Sequence, residues 1–400
     1  MKILGMDFLH WVFPKTNNSF VELMREKGVE FKYIQPDVLY RNTRKILAFH
    51  KHSIADPYYK GYNIRNMIKV EMVKETHWYK WNKNIENDYV LRVMGLIDWT
   101  EKIYKEEKPD YILIEGGLTC FARVTAEIAR EMGIKIITVE NSFIDGRIFM
   151  DFSTGFVVNR HIFARCSQDW MDTRYLTHAK RKEVDKIITD VFQNLKFKTK
   201  DALPMPKFMH SKTIFAPLQV TGDQVCVYDS KYNNEKFVKE LIWLANNKFQ
   251  DWNVVLRCHP VEERWSTKAY TGNWVEKQKL PSNVYLLRGA FDSYNTQQLI
   301  KNSDLILVNN SQAGLEACLL EKPVMVLGDA FYHNKGFTTT YKRTHNWEKI
   351  KENPDILVNA DQAKLWFLYF YKWLFNKQFT EIDKQRVLKE MNIERSSNEG

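Results

Sequence analysis

The residues best placed to do chemistry lie in Val308-Asn309-Asn310-Ser311-Gln312-Ala313-Gly314-Leu315-Glu316, after the apolar run Leu305-Ile306-Leu307-Val308. A buried strand that ends in small polar residues and passes into a helix leaves backbone N–H groups without intrahelical partners, which suits an anion such as phosphate. Ser311 reads as the helix N-cap, able to serve the helix and a bound phosphate with the same hydroxyl. Glu316, one turn in, could accept bonds from ribose hydroxyls. Two further segments point the same way. Arg257-Cys258-His259-Pro260 ends another apolar run, so His259 is expected on a strand-end rim as a donor to a phosphate oxygen. Gln219-Val220-Thr221-Gly222-Asp223 leaves a third strand, and its aspartate is placed where a carboxylate could approach a bound sugar; Asp229 is the nearby rival.

A second group comes from the first half of the chain. The run 109–114 reads as a strand, Glu115-Gly116-Gly117 as its turn, Cys120 to Met132 as a helix ended by Gly133, and Ile134 to Val139 as the next strand. Such alternation implies a parallel sheet with right-handed crossovers, in which ligands gather at the carboxyl ends of strands. Glu140-Asn141-Ser142 would then stand on a functional rim, with Glu140 as candidate base or acceptor anchor and Glu115 as its competitor.

The elements that must position these groups repeat the alternation. Strands are expected at 2–7 and 29–34, with a helix Asn17 to Lys27 between them. Residues 40–105 are polar-aromatic and helical in texture, with a His77-Trp78-Tyr79-Lys80-Trp81 run that reads as packing or surface. Helical sequence from Gln168 to Asn194 leads into a Pro-containing linker at 196–212. The pattern then restarts: strands at 213–216, 253–257, 284–287, 305–308 and 324–327, and helices at 234–246, 296–301 and 313–320. Four hundred residues exceed one ordinary core. The expectation is two Rossmann-like domains facing a central cleft, 1–205 on the acceptor side and 206–345 binding the donor. Residues 346–400 form a C-terminal helical segment across the junction, with membrane docking by the aromatic helix 361–376 as the outside option.

Composition narrows the classes. The hydrophobic content of 44% supports a sizeable interior. The opening run is too short for a signal peptide, and no stretch reaches the roughly 18 apolar residues of a membrane span. Five cysteines without a C-x-x-C pair fit reduced thiols in the cytosol. The net charge of +10 is spread among acids, which favours an anionic substrate or membrane surface over nucleic acid. Asp-x-Asp, Walker-type and G-x-G-x-x-G signatures are absent, so a metal-free monophosphate donor fits better than a nucleoside diphosphate.

The ordered blocks of the second half resemble the bacterial capsule polysaccharide synthesis family of β-Kdo transferases (Kdo, 3-deoxy-octulosonic acid). Phe215-Ala216-Pro217-Leu218-Gln219-Val220-Thr221-Gly222-Asp223 is similar to its P-x-Q-V-x-x-D block, and Val255 to Pro260 to its strand-His-Pro block. Asn310 to Ala317, Lys322-Pro323-Val324 and Gly328-Asp329-Ala330-Phe331-Tyr332, ending at Gly336-Phe337-Thr338, are similar to its S-x-x-G-x-E-A, K-P-V and G-x-x-F-Y…G-x-T run. In the first half, Glu140-Asn141-Ser142-Phe143 stands where the family often shows E-D-G-F, and the following R-S is not evident.

The resemblance implies a GT-B type fold, CMP-β-Kdo as donor substrate with no other cofactor, and transfer with retention. Asp223 would be the nucleophile of a double displacement. His259, Pro260, Asn310, Ser311, Gln312 and Gly314 would line the CMP phosphate, with Glu316 at the ribose and Glu140 or the released phosphate deprotonating the acceptor. The acceptor would be a saccharide or lipid-linked glycan, and the protein cytoplasmic, with peripheral contact to the inner membrane or other polysaccharide-assembly proteins. The alternatives are a transferase of another CMP-activated acidic sugar, sialyltransferase-like, or a non-catalytic glycan-binding assembly component. The presence of Asp223, His259 and Ser311 together argues against the last.

Overall fold

The computed structural model describes residues 1–6, 19–34, 58–76, 83–116, 119–152, 176–193, 204–262, 270–289 and 294–393. Gly117, the aromatic run 77–81, Cys166 and residues 196–203 of the expected linker lie outside them. The chain divides into two compact units, one of residues 1–72, 81–162 and 371–400, the other of 73–80 and 163–370.

The first unit opens with β1 (Lys2–Gly5), β2 (Glu30–Tyr33) and the short hairpin β3 (Tyr58–Tyr59) and β4 (Tyr62–Asn63), followed by β5 (Tyr111–Glu115), β6 (Lys135–Asn141) and β7 (Arg147–Asp151). The strands β2, β1, β5 and β6 lie side by side and parallel. Alternate residues feed opposite faces. Leu4, Ile112, Ile114 and Ile136 pack with the helices Lys83–Glu107 and Cys120–Glu131 through residues such as Val93, Ile97, Ala122 and Ile128. Ile3, Leu113, Ile137 and Val139 pack with Phe20, Leu23 and Met24 of the helix Ser19–Glu26. A sheet covered on both faces explains the near-continuous apolar strands. Gly133, at φ +71°, ends the helix that precedes β6.

One expectation for this unit is corrected. Glu140 does not stand on a loop at a strand end, because β6 runs on through Asn141 and turns back as antiparallel β7, pairing Glu140 with Phe149. The turn of this hairpin holds the pair Asp145-Gly146, with Gly146 at φ +71°, a strong hairpin signal that a strand ended at Val139 leaves unused.

The second unit holds β8 (Thr213–Pro217), β9 (Asn253–Arg257), β10 (Val284–Leu287), β11 (Leu305–Val308), β12 (Val324–Val326) and β13 (Thr339–Thr340). Their spatial order is β10-β9-β8-β11-β12-β13, all parallel. Counted from β8 this is the 3-2-1-4-5-6 order of a doubly wound Rossmann sheet, whose order reverses between β8 and β11. Both central strands are buried along their whole length. One face packs Ile214, Ala216, Leu305 and Leu307 against Phe237, Leu241 and Leu244 of the helix Asn234–Asn247, with Trp347 and Ile350 in the same cluster. At 204–212 the chain packs onto this unit: Phe208 stacks on Tyr285 with ring centroids 4.2 Å apart, and Asn253 donates to its carbonyl at 2.6 Å.

The C-terminal segment divides between the units. Trp366 and Phe370 of the helix Ala360–Trp373 are fully buried, and Phe370 stacks on Phe331 of the Gly328–Tyr332 block at 5.7 Å. That apolar face is covered by protein, which excludes membrane docking through it. Past residue 370 the chain belongs to the first unit. There β14 (Phe375–Asn376) pairs antiparallel with β7, and Val387 and Met391 of the last helical segment join the core around Ile3 and Leu113. The described residues contain no helix long and apolar enough to cross a membrane. Each unit is thus an α/β structure built on its own six-stranded sheet.

Candidate functional site

Ligands in doubly wound sheets bind outside the carboxyl ends of the strands where the strand order reverses, and the candidate residues of the second unit gather at that edge. Pro217 of β8 pairs with Arg257 of β9, and Phe215 of β8 with Ile306 of β11. Gln219, His259 and Asn310 therefore each stand two residues beyond level positions on three adjacent strands, with neighbouring strands about 4.8 Å apart. Side-chain contacts tie the β11 segment to the middle one. The Gln219 Oε1 accepts from the Asn310 N–H at 3.3 Å and from the Cys226 thiol at 2.9 Å.

Asp223 enters through a tight turn. Its N–H donates to the Val220 carbonyl at 3.0 Å, and Gly222 between them has φ +81°, the left-handed conformation that suits glycine at the third turn position. The Asp223 side chain then caps the helix Gln224–Asp229, accepting from the Val225 N–H at 3.0 Å. That short helix was not foreseen. It explains the aspartate locally and holds its carboxylate half-buried at the crevice edge. Asp229, the rival, closes the same helix.

His259 is half-buried. Its Nδ1 accepts from the Val261 N–H at 3.2 Å, so the neutral ring carries its proton on Nε2. Burial, then the charge of Arg257, pushes its pKa down to about 4. At neutral pH it offers one uncharged N–H. Arg257 is engaged elsewhere, donating to Thr296 Oγ1 at 2.6 Å and the Tyr294 carbonyl at 2.7 Å.

The 309–316 turn differs in one respect from expectation. The residue at the N-cap is Gln312 and not Ser311. Ser311 Oγ still accepts from the Ala313 N–H at 3.3 Å, and the N–H of Gly314 is taken by the Ser311 carbonyl at 3.1 Å. Two N–H groups, those of Ser311 and Gln312, have no acceptor among the described residues. Asn310 is 5% exposed, and its Nδ2 also lacks a partner, although an unpaired buried amide costs about 1–3 kcal/mol. Gly314 has a packing reason as well. An added Cβ would fall 2.1 Å from the hydroxyl of fully buried Tyr332, which donates to the Ser311 carbonyl at 2.5 Å.

Glu316 is buried inside the helix Ala313–Leu319 rather than exposed. Burial raises its pKa to about 7, against one opposing hydrogen bond from Gln312 Nε2 at 3.1 Å. A carboxyl so placed is short of donors, and hydroxyl groups would supply them. Pro260 is half-buried beside His259.

In the first unit Glu140 is half-buried on β6, and Glu115 closes β5 opposite Val139. Strand register thus puts these two acids at nearby levels on neighbouring strands.

Some residues of the second-unit crevice carry roles that the sequence does not assign. Asn309 links β11 to the short helix, accepting from Ser230 Oγ at 2.6 Å and donating to the Tyr232 carbonyl at 2.8 Å. Cys226 and Glu262 are buried polar partners of the same loops. Only the adjacency of Gln219 and Asp223 in one block could have hinted at the first of these partners.

Fold and site together define an α/β protein with a doubly wound second unit and a polar crevice at its strand-order reversal. The chain belongs to the family described as capsule polysaccharide biosynthesis protein, which matches residues 158–372. It is 23% identical over 260 residues to Protein FixF of Sinorhizobium fredii, covering 64% of this chain and 56% of that protein. The chain thus spans about half the length of the curated relative it matches. Among solved structures it is similar to Thermosulfurimonas dismutans KpsC, beta Kdo 2,4 transferase, at 18% identity and TM-score 0.49, over 66% of this chain and 80% of that one. A second match is Thermosulfurimonas dismutans KpsC, beta Kdo 2,7 transferase, at 15% identity and TM-score 0.44, over 73% and 88% of the two chains. The family assignment rests on the 158–372 match.

Proposed function

We propose that this protein is a glycosyltransferase of bacterial surface polysaccharide synthesis that moves Kdo with retention from CMP-β-Kdo to a saccharide or glycolipid acceptor. The observation that carries the reading is the join between Gln219 and the Asn310 N–H. It brings the aspartate-bearing loop and the turn with unpartnered donors to one crevice. Family membership and the ordered blocks from Phe215 to Thr338 support the choice of sugar.

In this reading the CMP phosphate accepts from His259 Nε2, the N–H groups of Ser311 and Gln312, and Asn310 Nδ2. These fixed donors offset charge as the phosphate departs, which removes the need for a metal. Glu316 accepts from the ribose hydroxyls. An Asp223 oxygen attacks the anomeric carbon, and the carbon–phosphate-oxygen bond breaks, releasing CMP and leaving a glycosyl ester. The acceptor oxygen then attacks the same carbon, its proton passing to Glu140 or to the CMP phosphate, and the Asp223 carboxylate is freed. Two inversions give retention. A cytoplasmic protein at the inner membrane surface would meet both substrates there, and the net positive charge suits both.

The test is mass spectrometry of products from CMP-Kdo and CMP-sialic acid, each offered with lipid-linked and free glycosides, with and without EDTA. A Kdo-extended product formed equally in EDTA is expected. Sialyl transfer alone would move the donor assignment to another CMP-activated acid, and no transfer at all would favour a binding component.

A further inference from the structure

Glu262 is fully buried and lies three residues beyond His259. Four donors from two threonines surround its carboxylate. Oε2 accepts from the Thr221 N–H at 3.1 Å, while Oε1 accepts from Thr221 Oγ1 at 2.9 Å, the Thr271 N–H at 2.9 Å and Thr271 Oγ1 at 2.6 Å. Burying a carboxylate is costly unless its lone pairs are met, and here Thr221 and Thr271 each supply two of the four donors, so that Glu262 ties the Thr221 loop to the helix Tyr270–Glu276. Thr221 is the second residue of the Val220–Asp223 turn. The same loop is held at Gln219, whose N–H donates to Asn234 Oδ1 at 3.1 Å and whose carbonyl accepts from Asn234 Nδ2 at 2.5 Å. Asn234 Nδ2 also donates to Thr271 Oγ1 at 2.9 Å, which closes the network.

We propose that Glu262 is the positioning residue that fixes the 219–223 loop and thereby sets the direction of the Asp223 carboxylate. This rests on the reading of Asp223 as the nucleophile. An attacking oxygen must be held near 3–3.5 Å from its target in the right direction, and the Gly222 turn gives the loop conformational freedom that something must remove. The Thr221 bonds immobilise the turn one residue before that glycine. Because Glu262 and His259 share one short segment, movement of the segment on donor binding would be passed to the loop.

The experiment uses the full chain. Hydrogen exchange is followed by mass spectrometry on peptides covering 218–226, beside donor-saturated turnover and calorimetric CMP affinity. Glu262→Gln replaces acceptors with an amide and should speed exchange in that peptide about ten-fold to a hundred-fold, the range for lost hydrogen bonds to a charged group, while β11 and β12 keep their protection. Turnover should fall with it and the donor KM should hold. Thr221→Val removes one hydroxyl from a milder site and should give a smaller change of the same kind, which Thr221→Ser should reverse. Unchanged exchange at 218–226 in Glu262→Gln would overturn the proposal, as would full turnover in Thr221→Val with the loop already loosened. Absence of Kdo transfer by the unaltered protein would instead sink the functional reading, and the exchange result would still decide whether Glu262 fixes the loop.

Discussion

Replacing Glu316 by Gln tests whether a buried, donor-poor carboxyl is kept for a ligand at the expense of stability. In the folded chain burial holds the Glu316 pKa at about 7, against an ordinary 4.5. The raised value means that the folded state keeps the proton while the unfolded chain gives it up. Below pH 4.5 both states are protonated and the residue makes no pH-dependent difference. As pH rises to about 7 the unfolded chain gains by ionising alone, so stability falls, and above 7 it levels off. At about 1.4 kcal/mol per pH unit the fall is roughly 3 kcal/mol. Glu316→Gln, isosteric with the protonated acid and unable to ionise, should not show it. Urea unfolding at pH 5 and pH 8 should find the variant gaining on the native protein by up to about 3 kcal/mol at the higher pH. The same variant should bind CMP more weakly. Ribose hydroxyls donating to the ionised carboxylate lower its pKa, so the native protein should release roughly half a proton per CMP at pH 7, read by calorimetry in buffers of different ionisation enthalpy. A stability difference that is flat between pH 5 and pH 8, or CMP binding with no proton release, would refute the reasoning.

Asp223→Asn keeps an N-cap of equal quality, so the fold and CMP affinity should persist while transfer is lost; near-native turnover would turn attention to Asp229. His259→Ala and Ser311→Ala should each weaken CMP binding about ten-fold to a hundred-fold or more in calorimetric titration, since a bond to a charged group is worth roughly 1.5–3 kcal/mol. Glu140→Gln should leave CMP affinity alone and lower the transfer rate at saturating donor; equal loss of CMP affinity there would break the division of donor and acceptor roles. Gly314→Ala forces a methyl group 2.1 Å from the Tyr332 hydroxyl and should cost about 1–3 kcal/mol of stability. Adding Tyr332→Phe should recover part of that loss in thermal melts, and no recovery would show that the hydroxyl is not the obstacle.

Much of this protein was legible in the sequence because its central strands are buried on both faces. Runs such as Leu305 to Val308 and Asn253 to Arg257 are apolar enough, and bounded sharply enough, to be read to the residue. The blocks carrying Asp223, His259 and Ser311 were legible for a related reason: each sits just past such a strand, where the change from apolar to small polar residues is abrupt. Tertiary structure alone decided what these residues do to one another. Strand order cannot be read from strand identity, and it is the insertion of β8 between β9 and β11 that makes Gln219 a neighbour of Asn310. Burial of a polar side chain is likewise set by what folds over it. Glu316 is buried with a pKa near 7 and Glu262 holds the loop before Asp223, and neither outcome follows from the residues beside them in sequence. Short strands told least: β14 is two residues long, too few for a period to show, and its pairing with β7, with the packing of Val387 and Met391 around Ile3 and Leu113, returns the end of the chain to the first unit.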